Sequence, residues 1–183
     1  MKSAIITGAN GLIGTAVSNY LQEKGVKTIR LGRKSIMKTN NKNDLYIPLE
    51  MRNISDLKFI LKELGIEIGS ECVFFNFAWS GEDKLTDGNF SNQINNSIYS
   101  SEAVKVAKDI GCSKYIDSGT MEETYAEMIL NNNSEIDLTQ ENYTIAKIAA
   151  RDMSKIVAYL EKIDYVHTRI SVPLDLELKK GGY

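Results

Sequence analysis

Hydrophobic positions along this chain follow two alternating rhythms. Short apolar-rich runs, bounded by glycine, asparagine or charge, occur at 2–7, 26–31, 45–49, 71–78, 114–117 and 165–172. Each has the length and composition of a β-strand. Between them lie segments of helical period. Gly11 to Lys24 carries Leu12, Ile13, Ala16, Val17, Tyr20 and Leu21 on one stripe, and Gly25 ends it. Ser55 is placed to cap a helix bearing Leu57, Ile60, Leu61 and Leu64, which stops at Gly65. A long helix is predicted over 90–110, ended by Gly111. Another spans 142–162, with Ile145, Ile148, Ala149, Met153, Ile156, Val157 and Leu160 as its apolar face. Polar loops are expected at 35–44 and 80–88, and 121–141 reads as irregular with one short helix. The run Cys72-Val73-Phe74-Phe75-Asn76-Phe77 suits a strand buried on both faces. Strands alternating with helices imply right-handed crossovers, so the expected fold is α/β, a doubly wound parallel sheet.

Composition narrows the function without naming it. The 183 residues favour one domain with a real core, and 43% hydrophobic with 25% charged residues fits a globular chain. A net charge of -2 makes no electrostatic case for nucleic acid or an anionic membrane. No apolar run approaches the roughly 20 residues that span a bilayer. The amino terminus reads as a first strand and not as a secretory signal, so the cytoplasm is the expected location. Cys72 and Cys112 sit in apolar company, and His167 is the sole histidine. A disulfide framework or a metal site is therefore not expected.

Two groups of residues carry candidate chemistry. After the first strand comes Thr7-Gly8-Ala9-Asn10-Gly11-Leu12-Ile13-Gly14, and a helix follows at once. Glycines at this spacing permit a tight turn, a close approach to a pyrophosphate, and close packing of helix on strand. The free N–H groups at the helix start favour an anion. The second group is Tyr143-Thr144-Ile145-Ala146-Lys147, which places a phenol and an ammonium one helical turn apart. The lysine is expected to lower the phenol pKa, which suits proton exchange with a hydroxyl or carbonyl. Ser118-Gly119-Thr120 lies just beyond the fifth strand, where open parallel sheets bind ligands, so Ser118 and Thr120 are placed to donate to a substrate oxygen. The same tripeptide also fits ordinary turn chemistry, and Trp79 would suit a core aromatic.

Taken in order, these pieces resemble the extended short-chain dehydrogenase/reductase family of NAD(P)-dependent nucleotide-sugar epimerases, dehydratases and reductases. Phe77-Ala78-Trp79, Asn96 and Arg169-Ile170 complete the match. The resemblance implies a Rossmann-type domain over 1–172, with 173–183 as a short tail that begins a truncated substrate region. It implies Tyr143 as general acid/base, Lys147 as its tuner and ribose ligand, and Thr120 as the residue that orients the reacting oxygen. Gly8, Asn10, Gly11, Leu12, Ile13 and Gly14 would cradle the pyrophosphate. Phe77, Ala78, Trp79, Asn96 and Ser118 would also face the cofactor.

Charge bears on which cofactor. The second strand ends in Leu31-Gly32-Arg33-Lys34, with no carboxylate to accept ribose hydroxyls. Arg33 stands close to the spacing of about 20 residues at which the ribose is read, so NADP(H) is favoured over NAD(H). A solvated turn would use the same two cations. Departures from the family matter too. Thr120 is followed by Met121-Glu122 where sugar dehydratases have Asp-Glu, which disfavours dehydration. By the resemblance, these 183 residues would hold little of the family's substrate-binding region, as a fragment, a truncated product or a minimal member would. The expected activity is an NADP(H)-linked oxidoreductase or epimerase at the 4-position of a nucleotide-activated sugar. The alternative is a non-catalytic module that binds a dinucleotide or a partner. A homodimer through the helices at 90–110 and 142–162 is the expected assembly.

Overall fold

A computed structural model describes residues 1–35, 42–81, 89–132 and 141–171. Parts of the loops predicted at 35–44 and 80–88 and of the irregular stretch at 121–141, namely 36–41, 82–88 and 133–140, lie outside the described residues, as does the tail 173–183. Six strands form one parallel sheet in the order β3-β2-β1-β4-β5-β6. They are β1 (Ser3–Thr7), β2 (Lys27–Gly32), β3 (Asp44–Pro48), β4 (Cys72–Asn76), β5 (Lys114–Thr120) and β6 (Asp164–Ile170). The helices are α1 (Leu12–Glu23), α2 (Leu57–Glu63), α3 (Phe90–Asp109), α4 (Glu122–Asn132) and α5 (Glu141–Glu161). A 3-10 segment, Met51–Asp56, leads into α2. The expected doubly wound sheet is therefore present. Its strand order reverses between β1 and β4, which opens a crevice at the carboxyl ends of those strands.

Two apolar layers hold the sheet. On one face Ile5, Ile29, Leu31, Phe74 and Tyr115 pack with Leu57, Leu61, Val104, Ala107 and Ala158 from α2, α3 and α5. On the other, Ala4, Ile6 and Ala9 meet Leu21 of α1. Burying side chains of this size contributes roughly 1.5–3 kcal/mol each, so the two layers dominate the fold energetically. Cys72 and Cys112 are both buried free thiols.

Two expectations are corrected. Ser118-Gly119-Thr120 is not a turn beyond the fifth strand but the end of β5 itself. These residues pair with Thr168, Arg169 and Ile170, so the neighbouring ladder extends the strand. The predicted apolar face of α5 is only half-buried: Ile148, Ala149 and Val157 are partly covered, with Val157 against the core, while Ile145, Met153, Ile156 and Leu160 are exposed. Ala146, Ala150, Ser154 and Ala158, at i, i+4, i+8 and i+12, are the residues it buries most fully. Small residues let α5 lie close to α3, where the Ser97 hydroxyl donates to the Ala146 carbonyl at 2.7 Å. Ile156, Tyr159 and Leu160 are left 61%, 83% and 68% exposed.

Candidate active site

The glycine turn is shaped by its neighbours. Gly8 adopts φ +61°, and a Cβ there would lie 2.7 Å from Ala78 N and from the Phe77 carbonyl. A Cβ on Gly14 would stand 2.3 Å from the Gly8 oxygen. Gly11 differs, because its Cβ would meet only the Gly8 oxygen, at 3.3 Å. Gly11 is exposed and is the N-cap of α1, where no side chain caps the helix and the first turn holds no carboxylate. The turn therefore offers an anion an uncapped helix end and the space of a missing side chain.

A cavity of about 610 Å³ opens on this turn. Of the predicted cofactor residues, Gly8, Asn10, Gly11, Arg33, Phe77, Ala78, Trp79 and Asn96 line it. Leu12, Ile13, Gly14, Ser118, Tyr143 and Lys147 do not, Gly14 being buried beneath the turn. Asn10 donates from Nδ2 to the Tyr46 hydroxyl at 3.0 Å, and its buried Oδ1 has no partner among the described residues. Arg33 and Lys34 stand at the end of β2, and Glu50 with Arg52 at the end of β3. Glu50 and Arg52 are paired at 2.8 Å. The far wall is held by Asn96, whose Oδ1 accepts from Ser80 N at 3.0 Å while its Nδ2 donates to Ser80 O at 2.6 Å. An elongated polyanion with an aromatic end fits a cavity built this way.

Trp79 joins this cavity to Tyr143 and Lys147. Its indole N–H donates to Gln93 Oε1 at 2.8 Å, which fixes the ring. The Tyr143 ring meets it edge-on at 5.9 Å, and Lys147 Nζ lies 3.9 Å from the indole centre. Lys147 is buried and donates to the Ser118 carbonyl at 2.8 Å. Burial pushes its ammonium down to about 8, against the opposing charges of Asp117 and Glu123. The Ser118 carbonyl thus anchors Lys147. The structure brings Thr120, Tyr143 and Lys147 together at the crevice.

The expected acidification of Tyr143 does not occur in this state. Burial raises its phenol above the ordinary value, a hydrogen bond with Thr120 works against this, and Glu123 and Glu122 add to the rise. Lys147 has turned to Ser118 and Trp79, and its ammonium is 5.7 Å from the tyrosine ring centre. Sequence reasoning also passed over Asp117, Glu123 and His167, which lie side by side behind Thr120. The lone histidine had been weighed only as a metal ligand. Among the described residues no cluster of His, Cys, Asp and Glu is arranged to hold a metal, and no helix is long and apolar enough to cross a membrane.

The model of the family described as NAD dependent epimerase/dehydratase matches residues 4–174. The chain belongs to this family. No curated protein sequence matches it. Among solved structures, the fold resembles the family member UDP-glucose 4-epimerase of Thermotoga maritima with UDP-glucose, at 20% identity and TM-score 0.67, over 91% of this chain and 54% of that one. A UDP-glucuronic acid 4-epimerase from Bacillus cereus in complex with NAD matches at 17% identity and TM-score 0.66, over 93% and 56%. The Bordetella bronchiseptica enzyme WbmH with NAD+ matches at 18% and 0.65, over 93% and 56%. The chain therefore spans little more than half the length of these solved relatives.

Proposed function

We propose that the chain is the dinucleotide-binding and proton-transfer part of an NADP(H)-linked oxidoreductase or epimerase, acting in the cytoplasm at the 4-position of a nucleotide-activated sugar. One observation carries the reading. Tyr143 and Lys147 both meet Trp79, Tyr143 shares a hydrogen bond with Thr120, and Trp79 also lines the cavity that opens on the glycine turn. When bound, the nicotinamide supplies or accepts the hydride. Gly8, Asn10 and Gly11, with the start of α1 at Leu12 and Ile13, would hold the pyrophosphate, and Gly14 packs beneath them. Phe77, Ala78, Trp79, Asn96, Ser118 and Lys147 would bound the nicotinamide end.

Tyr143, kept protonated by burial, donates to a carbonyl oxygen in the reducing direction and takes that proton back in the other. Thr120 presents its hydroxyl to the same oxygen. Lys147, with a value near 8, is poised to compensate the charge that develops when the phenol loses its proton. Arg33 and Lys34 at the β2 end support the phosphorylated cofactor, since a 2′-phosphate would meet cations there. NAD(H) is the alternative, and the Bordetella bronchiseptica and Bacillus cereus relatives named above hold NAD.

The domain boundary belongs to the proposal, with 1–172 as the cofactor domain and 173–183 opening the substrate region. The second reading is a dinucleotide- or partner-binding module without turnover. Calorimetric titration with NADP(H) and NAD(H), followed by turnover with UDP-, GDP-, CDP- and dTDP-linked sugars, separates the two. The enzyme reading expects turnover that Tyr143→Phe lowers by about 10²–10⁴-fold, with cofactor affinity retained. Cofactor binding with no turnover of any sugar supports the module.

A further inference from the structure

Behind Thr120 the sole histidine of the chain sits between two carboxylates. His167 Nδ1 is 2.7 Å from Asp117 Oδ1, and Nε2 is 2.8 Å from Glu123 Oε2. Ionised carboxylates only accept hydrogen bonds, so an imidazole facing one at each nitrogen is satisfied only when both nitrogens carry protons. Glu123 is fully buried, and its other oxygen, Oε1, accepts the Thr120 backbone N–H at 2.9 Å. We propose that His167 is a positioning residue, held as an imidazolium between Asp117 and Glu123, and that this clamp fixes the end of β5 so that Thr120 stands beside Tyr143.

The surrounding charges agree. From α5, Arg151 lies 3.7 Å from Glu123 Oε2, and from β6 Arg169 lies 3.6 Å from the same atom. Both guanidiniums are also engaged by Glu127 of α4. Tyr165 donates to Asp117 Oδ2 at 3.0 Å. Lys147, also on α5, lines a small internal cavity with Asp117 and His167, so the ammonium shares the Asp117 charge with the clamp. Burial alone would lower the imidazole pKa, but the hydrogen bonds and charges of Asp117 and Glu123 outweigh it and raise the value to about 9.

Gly119 shows how closely the clamp is fitted. A Cβ at this position would lie 2.2 Å from His167 Nε2 and 2.4 Å from Glu123 Oε1. Its glycine is therefore not a turn signal, since the residue sits inside β5. It is the space through which imidazole and carboxylate meet. His167 does not line the large cavity; it reaches Thr120 through Glu123, which accepts the Thr120 backbone N–H.

The catalytic consequence rests on the proposed function; the clamp itself does not. Because the chain has one histidine, a single imidazole resonance set reports on it without variants. A nitrogen and amide NMR titration from about pH 5 to 10 is expected to show both ring nitrogens protonated at about pH 7.5. The Thr120 amide should move with the same midpoint, near 9. A neutral ring at about pH 7.5, or a Thr120 amide indifferent to the histidine titration, overturns the clamp. In turnover, His167→Gln is expected to lower kcat about 10- to 100-fold with the NADP(H) dissociation constant within about two-fold. An unchanged kcat overturns the positioning role. If the wild type turns over no nucleotide sugar, the enzyme reading fails on its own, and the NMR titration still decides the clamp.

Discussion

Three glycines crowd the turn after β1, yet only two of them answer to the chain's own atoms. Gly8 and Gly14 have backbone within 3 Å of where a Cβ would go, and Gly8 also has positive φ. Gly8→Ala should then cost roughly 1–3 kcal/mol in denaturant titration, from strain and displaced Ala78. Gly11→Ala should keep the melting temperature within about 4 °C and lose dinucleotide affinity by calorimetry. Retention of full affinity in that variant would remove Gly11 from the cradle. Lys147 gives a second prediction at this scale. Its folded value, about 8, lies below the ordinary 10.5, so in that window the unfolded chain binds a proton that the folded chain has released. Stability contributed at this site therefore rises with pH between those values. His167 acts with the opposite sign, because its raised value contributes stability below about 6.5 that is lost as pH passes 9. Urea midpoints of wild type and Lys147→Met from about pH 7 to 10 should converge or cross as the wild type gains. Parallel curves would show that Lys147 is not charged at a cost.

At the scale of elements, α5 is the one whose packing the hydrophobic pattern misread. A periodicity argument ranks Ile145, Met153, Ile156 and Leu160 above Ala150 and Ser154, yet the helix buries the small residues against α3. Close approach of two helices selects for size as much as for apolarity, and binary patterning does not register it. Ala150→Leu should accordingly destabilise by about 1–3 kcal/mol through overpacking, measured by chemical denaturation. A neutral outcome would mean that the α3–α5 contact is looser than its geometry. The strands were readable because apolar runs and glycine stops are local signals. Ser118 to Thr120 were not, because their place in β5 comes from a ladder to residues some fifty positions away on β6. The same distance hid the contacts of His167 with Asp117 and Glu123. Arg30 and Asp44 likewise form a buried bidentate pair, at 2.7 and 2.6 Å, linking β2 and β3, where sequence alone shows two unremarkable charges.

Over the whole molecule, the strand reversal between β1 and β4 sets the glycine turn at the same end of the sheet as the tyrosine and lysine of α5, with Trp79 between them. That much followed from motif order. What motif order could not show is which surface faces outward. Ile156, Tyr159 and Leu160 form an exposed apolar stripe on α5 that the α3–α5 packing leaves uncovered. Such a stripe suits the expected homodimer through these two helices. Sedimentation should find a dimer at micromolar concentration that Ile156→Glu with Leu160→Glu converts to a monomer of unchanged circular dichroism. A wild-type monomer would sink that assembly.

Gly119 carries an evolutionary consequence. A methyl group there would have to push the clamp apart, because an imidazole from β6 and a carboxylate from α4 meet where its side chain would be. Four positions, 117, 119, 123 and 167, are thus tied into one unit of variation. In a lineage that lost the histidine, selection on the glycine should relax, and alanine or serine should enter at that site. In one that kept His167 flanked by both acids, no other residue should be found there. An alignment of close homologues would display this as correlated substitution across three elements, whereas substitutions that drift independently would mean the four residues are neighbours only in space.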